Sequence, residues 1–394
     1  MSNASTNVER AIELQGQAWN FQAEGKLDDA HLTCSAALRL MEESEGPDSP
    51  DLANLLNDLA DIETDRQNFP AAFAAAERAQ AIANRLGDGF GGEDAVRIRV
   101  KTLELLGTIR RTLGDYARAE VDLRSALAAA AAAFGETSSE AAEARNNLGV
   151  LYKHCGRFDE GLQLYRQALG STAEESLARG TIYHNIGGIL HAQGDFAAAE
   201  EPARQAWGIS RRLLGEDDPR TMVDAAAYAG ILDGLGRYEE SERIYRSALE
   251  IFEKTYGPRH YEVAANLHNL AASLAARGMF QEAEEYYRRA LAIKEELLGA
   301  DSPDAALTRH NLGNLLSQTG RFAEAVPLLE NAVAILENRL RPEHPSAREF
   351  AECGSILKRK RKPYSIPMYQ RMTFSPISAT KIPANPRKLP NGNS

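Results

Sequence analysis

The apolar and polar positions of this chain repeat as two amphipathic helices separated by a turn. One copy reads GMFQEAEEYYRRALAIKEELLG, residues 278–299, a single amphipathic helix bounded by two glycines. Aligned on the opening glycine and an aromatic two residues later, the pattern recurs at Gly114/Tyr116, Gly156/Phe158, Gly194/Phe196, Gly236/Tyr238, Gly278/Phe280 and Gly320/Phe322. Gly25/Leu27 and Gln67/Phe69 are weaker copies upstream. Successive anchors lie 42, 47, 42, 38, 42, 42 and 42 residues apart. A period this steady predicts stacked supersecondary units.

Positions are numbered here from the anchor. After it, small residues fall at +5 (Ala30, Ala72, Ala119, Gly161, Ala199, Ser241, Ala283, Ala325) and alanine recurs at +12, from Ala37 to Ala332. Large residues such as Tyr165, Tyr245 and Tyr287 sit at +9. This is helical spacing. The small positions admit a neighbouring helix, and the aromatics fill the remaining volume. Before the anchor a second helix carries a large apolar residue at −8 (Leu106, Leu148, Ile186, Tyr228, Leu270, Leu312). A small residue follows at −7 (Gly107, Gly149, Gly187, Ala229, Ala271, Gly313). The glycine is the turn between them, where left-handed backbone costs little. Links such as Gly46–Pro50, Gly215–Pro219 and Gly299–Pro303 combine a glycine stop, a Ser or Asp cap and a proline at the first helical position. No segment alternates with period two, so no sheet is expected. The 38-residue interval shortens the helix after Gly156, and Ser171–Glu174 reads as a capping box opening the next element. The 47-residue interval holds an enlarged linker, GDGFGGED, residues 87–94.

Small-large-small spacing within a helix pair resembles the tetratricopeptide repeat family. The 42-residue period and the Gly-x-Asp-x-Pro-type links resemble the longer variant found in kinesin light chains and many bacterial proteins. The resemblance covers roughly residues 8–357. It implies an all-α, right-handed superhelical solenoid of antiparallel helix pairs, about eight repeats plus a C-terminal capping helix over 346–362. Residues 1–7 are expected to be disordered, 8–357 to form the solenoid, and 358–394 to form a basic, proline-containing disordered tail. The family is a scaffold with many clients, so no motor partner follows from it.

The resemblance also implies that the first helices line a concave groove into which positions −10 and −9 point. These are Asn146-Asn147, His184-Asn185, His268-Asn269 and His310-Asn311, and Ala226-Ala227 break the series. An asparagine amide offers an acceptor and two donors, which matches a peptide bond. Asn147, Asn185, Asn269 and Asn311 are therefore candidates to hold a partner's backbone, and His184, His268, His310 and Lys153 to contact its side chains. Four such bonds give about 2–6 kcal/mol, short of the roughly 8 kcal/mol of micromolar binding, so side-chain pockets must add to them. The competing structural reading has the same asparagines bonding across to the neighbouring helix.

Composition narrows the function. From Lys358 to Ser394 there are nine Lys/Arg and no Asp/Glu, so the remainder holds 36 basic residues against 56 acidic ones, a net of −20. Such a body repels phosphate backbones. A nucleic-acid role could run only through the tail, with the solenoid as platform; that is the alternative function, beside the tail folding back on the acidic body. Cys34, Cys155 and Cys353 are odd in number and far apart, which suggests a reducing, cytoplasmic setting without a disulfide framework. No secretory h-region or membrane-length apolar run is present. The groove histidines lack a completing carboxylate or thiolate by spacing, so no metal is expected. GDGFGGED lacks the strand and the lysine of phosphate loops, so no cofactor is expected. No nucleophile or hydrolase motif occurs. The expected function is a non-catalytic scaffold that binds an extended segment of a partner protein. Self-association through the solenoid ends is a further possibility.

Overall fold

The computed structural model describes residues 3–86 and 92–339, all of whose regular structure is helical. The expected cap at 346–362, the tail at 358–394, Cys353 and residues 87–91 of the glycine-rich linker lie outside the described residues. Contacts divide the chain into two compact units, Met1–Tyr152 with Arg166–Ser171, and Lys153–Tyr165 with Thr172–Ser394.

Unit 1 contains α1 (Asn3–Ala23), α2 (Leu27–Glu45), α3 (Pro50–Asp65), α4 (Phe69–Leu86), α5 (Glu93–Thr112), α6 (Tyr116–Phe134) and most of α7 (Ser139–His154). The short α8 (Phe158–Leu169) falls at the division. Unit 2 continues with α9 (Leu177–Gln193), α10 (Phe196–Leu214), α11 (Pro219–Gly234) and α12 (Tyr238–Tyr256). It ends with α13 (Tyr261–Ala276), α14 (Phe280–Leu298), α15 (Pro303–Gln318) and α16 (Phe322–Arg339). Within each unit odd helices pack on the even helix that follows, as α1 on α2 and α13 on α14. Odd helices also touch the next odd helix: α3 meets α5, α9 meets α11, α11 meets α13 and α13 meets α15. Both units are thus solenoids of antiparallel pairs with the odd helices as the inner row.

The packing follows the expected register. The +12 alanines from Ala37 to Ala332 are all buried, as are Ala30, Ala72, Ala119, Ala199, Ser241, Ala283 and Ala325 at +5. Tyr165, Tyr245 and Tyr287 are among the largest fully buried side chains. At −7, two of the glycines leave no room for a side chain, whereas Ala229 and Ala271 fill the same position elsewhere. A Cβ on Gly107 would lie 2.5 Å from Leu123 Cγ, and one on Gly313 would lie 2.7 Å from Leu329 Cγ. Within-pair turns have positive φ at the anchor glycine, as in Gly278 (78°), and even Gln67 adopts φ 59°.

Ser49, Asp218 and Ser302 cap α3, α11 and α15, each followed by proline in the first turn. The capping box expected at Ser171–Glu174 is a correction. The Ser171 hydroxyl donates back to the Gln167 carbonyl at 3.4 Å, and α9 is capped five residues later by Ser176, which accepts from Arg179 N–H. The motif matched in spacing, but the chain there is still leaving α8. At the other boundary, α1 begins at Asn3, inside the segment expected to be disordered; nothing between Asn3 and Val8 breaks a helix.

Candidate functional site

Polar side chains tie the inner helices laterally at recurring positions. At three junctions the side chain at −10 of one repeat bonds to −12 of the next. The Thr102 hydroxyl donates to Asn57 Oδ1 at 2.9 Å, His184 Nδ1 lies 2.8 Å from Asp224 Oδ1, and His268 Nδ1 lies 3.0 Å from Thr308 Oγ1. The residue at −9 of the next repeat reaches the same −10 side chain. Gln15 donates to Asp58 at 2.6 Å, Asn147 bonds Glu104, and Asn311 Nδ2 donates to His268 Nε2 at 3.1 Å.

His268 makes both bonds. Asn311 can only donate through its amide nitrogen, so Nε2 is the acceptor and Nδ1 carries the proton toward Thr308. The Thr308 hydroxyl then donates to the Asp304 carbonyl at 3.0 Å and accepts from Lys294 at 3.1 Å. Burial, helped by Lys294, lowers the His268 pKa well below the usual histidine value, so the ring stays neutral. His310 is also buried, with Nδ1 3.3 Å from Asn314 Nδ2, and burial lowers its pKa to about 4.

The eight candidates therefore divide. Asn147 belongs to unit 1, where it bonds Glu104. In unit 2, His268, His310 and Asn311 are engaged between or along helices. Lys153, His184, Asn185 and Asn269 come together around one cavity of about 130 Å³, also lined by Asp224, Glu262 and Asn266. The Ala226-Ala227 break creates this site. Alanine at −10 offers nothing to Asn266 at −12 or to Asn269 at −9 of the next repeat. Asn266 is 2% exposed; its amide donates to the Tyr245 carbonyl at 2.7 Å, but its buried Oδ1 has no partner. Asn269, half-buried at the cavity wall, has no hydrogen-bonded side-chain partner among the described residues.

The electrostatics of the cavity are mixed. His184 donates to Asp224, which also accepts from the Ser210 hydroxyl. Burial pushes Glu262 up to about 7, with His184 opposing. His191 is lowered to about 4 by burial and then by Lys153. The Lys153 amine lies over Gly188, where a Cβ would approach Nζ to 2.7 Å. Asp224, Glu262, Asn266 and His191 are not among the residues from which the sequence predicts contacts, which apart from Lys153 lie at −10 and −9. The break at Ala226 was the available signal, read as a gap rather than as an opening.

Among the described residues no cluster of three or more His, Cys, Asp or Glu could hold a metal ion, and no helix is long and apolar enough to cross a membrane. Fold and inner face together define an all-α repeat protein with polar side chains along its inner helices. The Tetratricopeptide repeat model matches residues 99–174, 140–212, 178–254, 221–296 and 262–338, more than half of the chain, and the chain belongs to that family. It is thus a protein-interaction scaffold of a generally non-catalytic family. No curated protein matches the sequence. Among solved structures, the apo form of the quorum sensor NprR from B. thuringiensis is similar at TM-score 0.61 and 11% identity, covering 85% of this chain and 89% of that one. A Rap protein complexed with Competence and Sporulation Factor gives TM-score 0.54 at 16% identity, covering 90% and 98%. A kinesin light chain-type protein of nearly identical TPR-like repeats from Podosopora anserina gives 0.41 at 24%, covering 49% and 93%.

Proposed function

We propose that the chain holds an extended segment of a partner protein against the inner helices of unit 2, with one peptide group of that segment bonded by Asn266 and Asn269. The observation that carries this reading is the cavity opened by Ala226, lined both by Asn266, whose buried Oδ1 has no partner, and by the unengaged Asn269. A peptide group has one donor and one acceptor and complements both. Lys153, His184 and Asn185 line the same cavity and are the candidates for side-chain contacts. Two hydrogen bonds contribute about 1–3 kcal/mol, so neighbouring contacts must add most of the affinity. The Rap protein of like fold is complexed with Competence and Sporulation Factor; at that identity the likeness concerns the fold, and the reading stands on the cavity.

The test begins with peptides selected by display against the full chain, their affinities measured by calorimetry. Asn269→Ala is expected to weaken binding about three- to tenfold. Ala226→Asn supplies the side chain that other repeats carry at −10, so it is expected to raise Tm and weaken the same peptides at least tenfold. Peptides indifferent to both substitutions, with helicity intact, would overturn the reading.

A further inference from the structure

We infer that unit 1 carries a recognition site for an arginine side chain of a partner protein, on the inner face where Asp58 of α3, Glu104 of α5 and Glu143 of α7 surround Lys101 of α5 and Trp19 of α1 bonds Asp58. Glu104 occupies position −10 of its repeat and is 5% exposed. Asn147 bonds its carboxylate from the next repeat. The second lateral bond, which a threonine at −12 makes with Asn57 and with His268, is missing because that position is Ala144. Glu104 Oε1 is consequently buried with no hydrogen-bond partner. A carboxylate oxygen left in that state calls for a donor.

The surroundings point to a cation as that donor. Burial works against the Lys101 ammonium, yet Glu143, Asp61, Glu104 and Asp58 together raise its pKa. One ammonium among four carboxylates leaves the face net negative. Burial and then Glu143 push Glu104 well above the carboxylate range, and burial pushes Asp58 up to about 6. A second cation would relieve both. Trp19 stands beside Asp58, 47% exposed, with its indole N–H bonded to that carboxylate. Carboxylates next to an exposed indole match a guanidinium, which donates in a planar fork and stacks on aromatic faces, better than a compact ammonium. A divalent metal does not fit, since no metal-binding group of three is gathered here among the described residues.

The chain has two tryptophans, Trp19 and Trp207, so a Trp207→Phe background makes Trp19 a local reporter. The probe is an uncharged-end peptide, acetyl-Gly-Arg-Gly-amide, titrated into the full chain while Trp19 emission is followed. A saturable change is expected with the arginine peptide and none with its citrulline counterpart. Glu104→Gln should weaken binding about tenfold. Ala144→Ser, which restores the missing lateral donor, should weaken it at least threefold while leaving helicity and peptide-free emission unchanged. Asn269→Ala in unit 2 should have no effect, which separates this site from the proposed peptide cavity. Equal responses to the arginine and citrulline peptides, or less than twofold loss in both Glu104→Gln and Ala144→Ser, would overturn the assignment.

Discussion

Two glycines inside helices illustrate how single residues carry this fold. Gly313 in α15 and Gly16 in α1 have the same low intrinsic helix propensity. Their surroundings differ. A Cβ on Gly313 would meet Leu329 Cγ at 2.7 Å and the Ala325 carbonyl at 3.3 Å, whereas one on Gly16 would meet nothing within 4 Å. Gly313→Ala is therefore expected to destabilise by about 1–3 kcal/mol through overpacking. Gly16→Ala should stabilise by about 0.5–1 kcal/mol through reduced unfolded-state entropy. Thermal melts of both variants check the contrast. Similar shifts of the same sign would mean that the close approach of α15 and α16 at Gly313 is not what holds that pair.

At the scale of the element, the recurring unit is a helix, a left-handed turn and a second helix. Its turn was legible because only a few residue types tolerate positive φ, so glycine marks it. Gln67 is the exception: it takes φ 59° where the other copies use glycine, and it is exposed. Gln67→Gly removes that strain without removing a buried contact. It should raise stability by about 0.5 kcal/mol, less than the strain itself because glycine also loosens the unfolded chain; an unchanged or lower denaturation midpoint would count against strain at this turn. The small-residue seams were equally readable, since each packed pair imposes the same volume limit every forty or so residues. The candidate site was readable only in part. Positions −10 and −9 are recognisably polar, but whether a given asparagine is engaged depends on the residue at −10, −9 or −12 one repeat away. Asn311 is engaged because its neighbour is His268, and Asn269 is not because its neighbour is Ala226. The capping box at Ser171 misled for a related reason: its spacing was right, but the end of α8 had already engaged the serine hydroxyl.

Across the whole molecule, buried acids and buried histidines set opposing pH dependences. Burial raises Asp58 and Asp233 to about 6 and Glu262 to about 7, and it raises Glu104 and Asp304 as well. Stability from such groups is full below their ordinary pKa near 4 and is lost as pH rises through the folded value. Buried histidines act the other way. His191 and His310 are lowered to about 4, and His260 and His268 are lowered too. Their contribution is full above about 6.5 and is lost as pH falls toward 4. Above pH 6.5 the acids act alone, so Tm should rise as pH falls from 8 to about 6.5; below that the histidines cancel the gain and the curve flattens. Glu262 isolates one contribution. Glu262→Gln keeps the shape of the side chain and removes the charge that burial disfavours. The variant should be more stable than the parent by about 1–2 kcal/mol at pH 8, somewhat less than the full shift implies because a carboxylate in the first turn of α13 favours the helix. The difference should shrink as pH falls through 7 and vanish near 4.5, the ordinary value for this side chain. Denaturant titrations of both proteins across that range measure it directly. A difference constant with pH would show that Glu262 keeps an ordinary pKa in the folded chain, and that the cavity opened by Ala226 is wetter and less selective than its buried, unpartnered Asn266 oxygen implies.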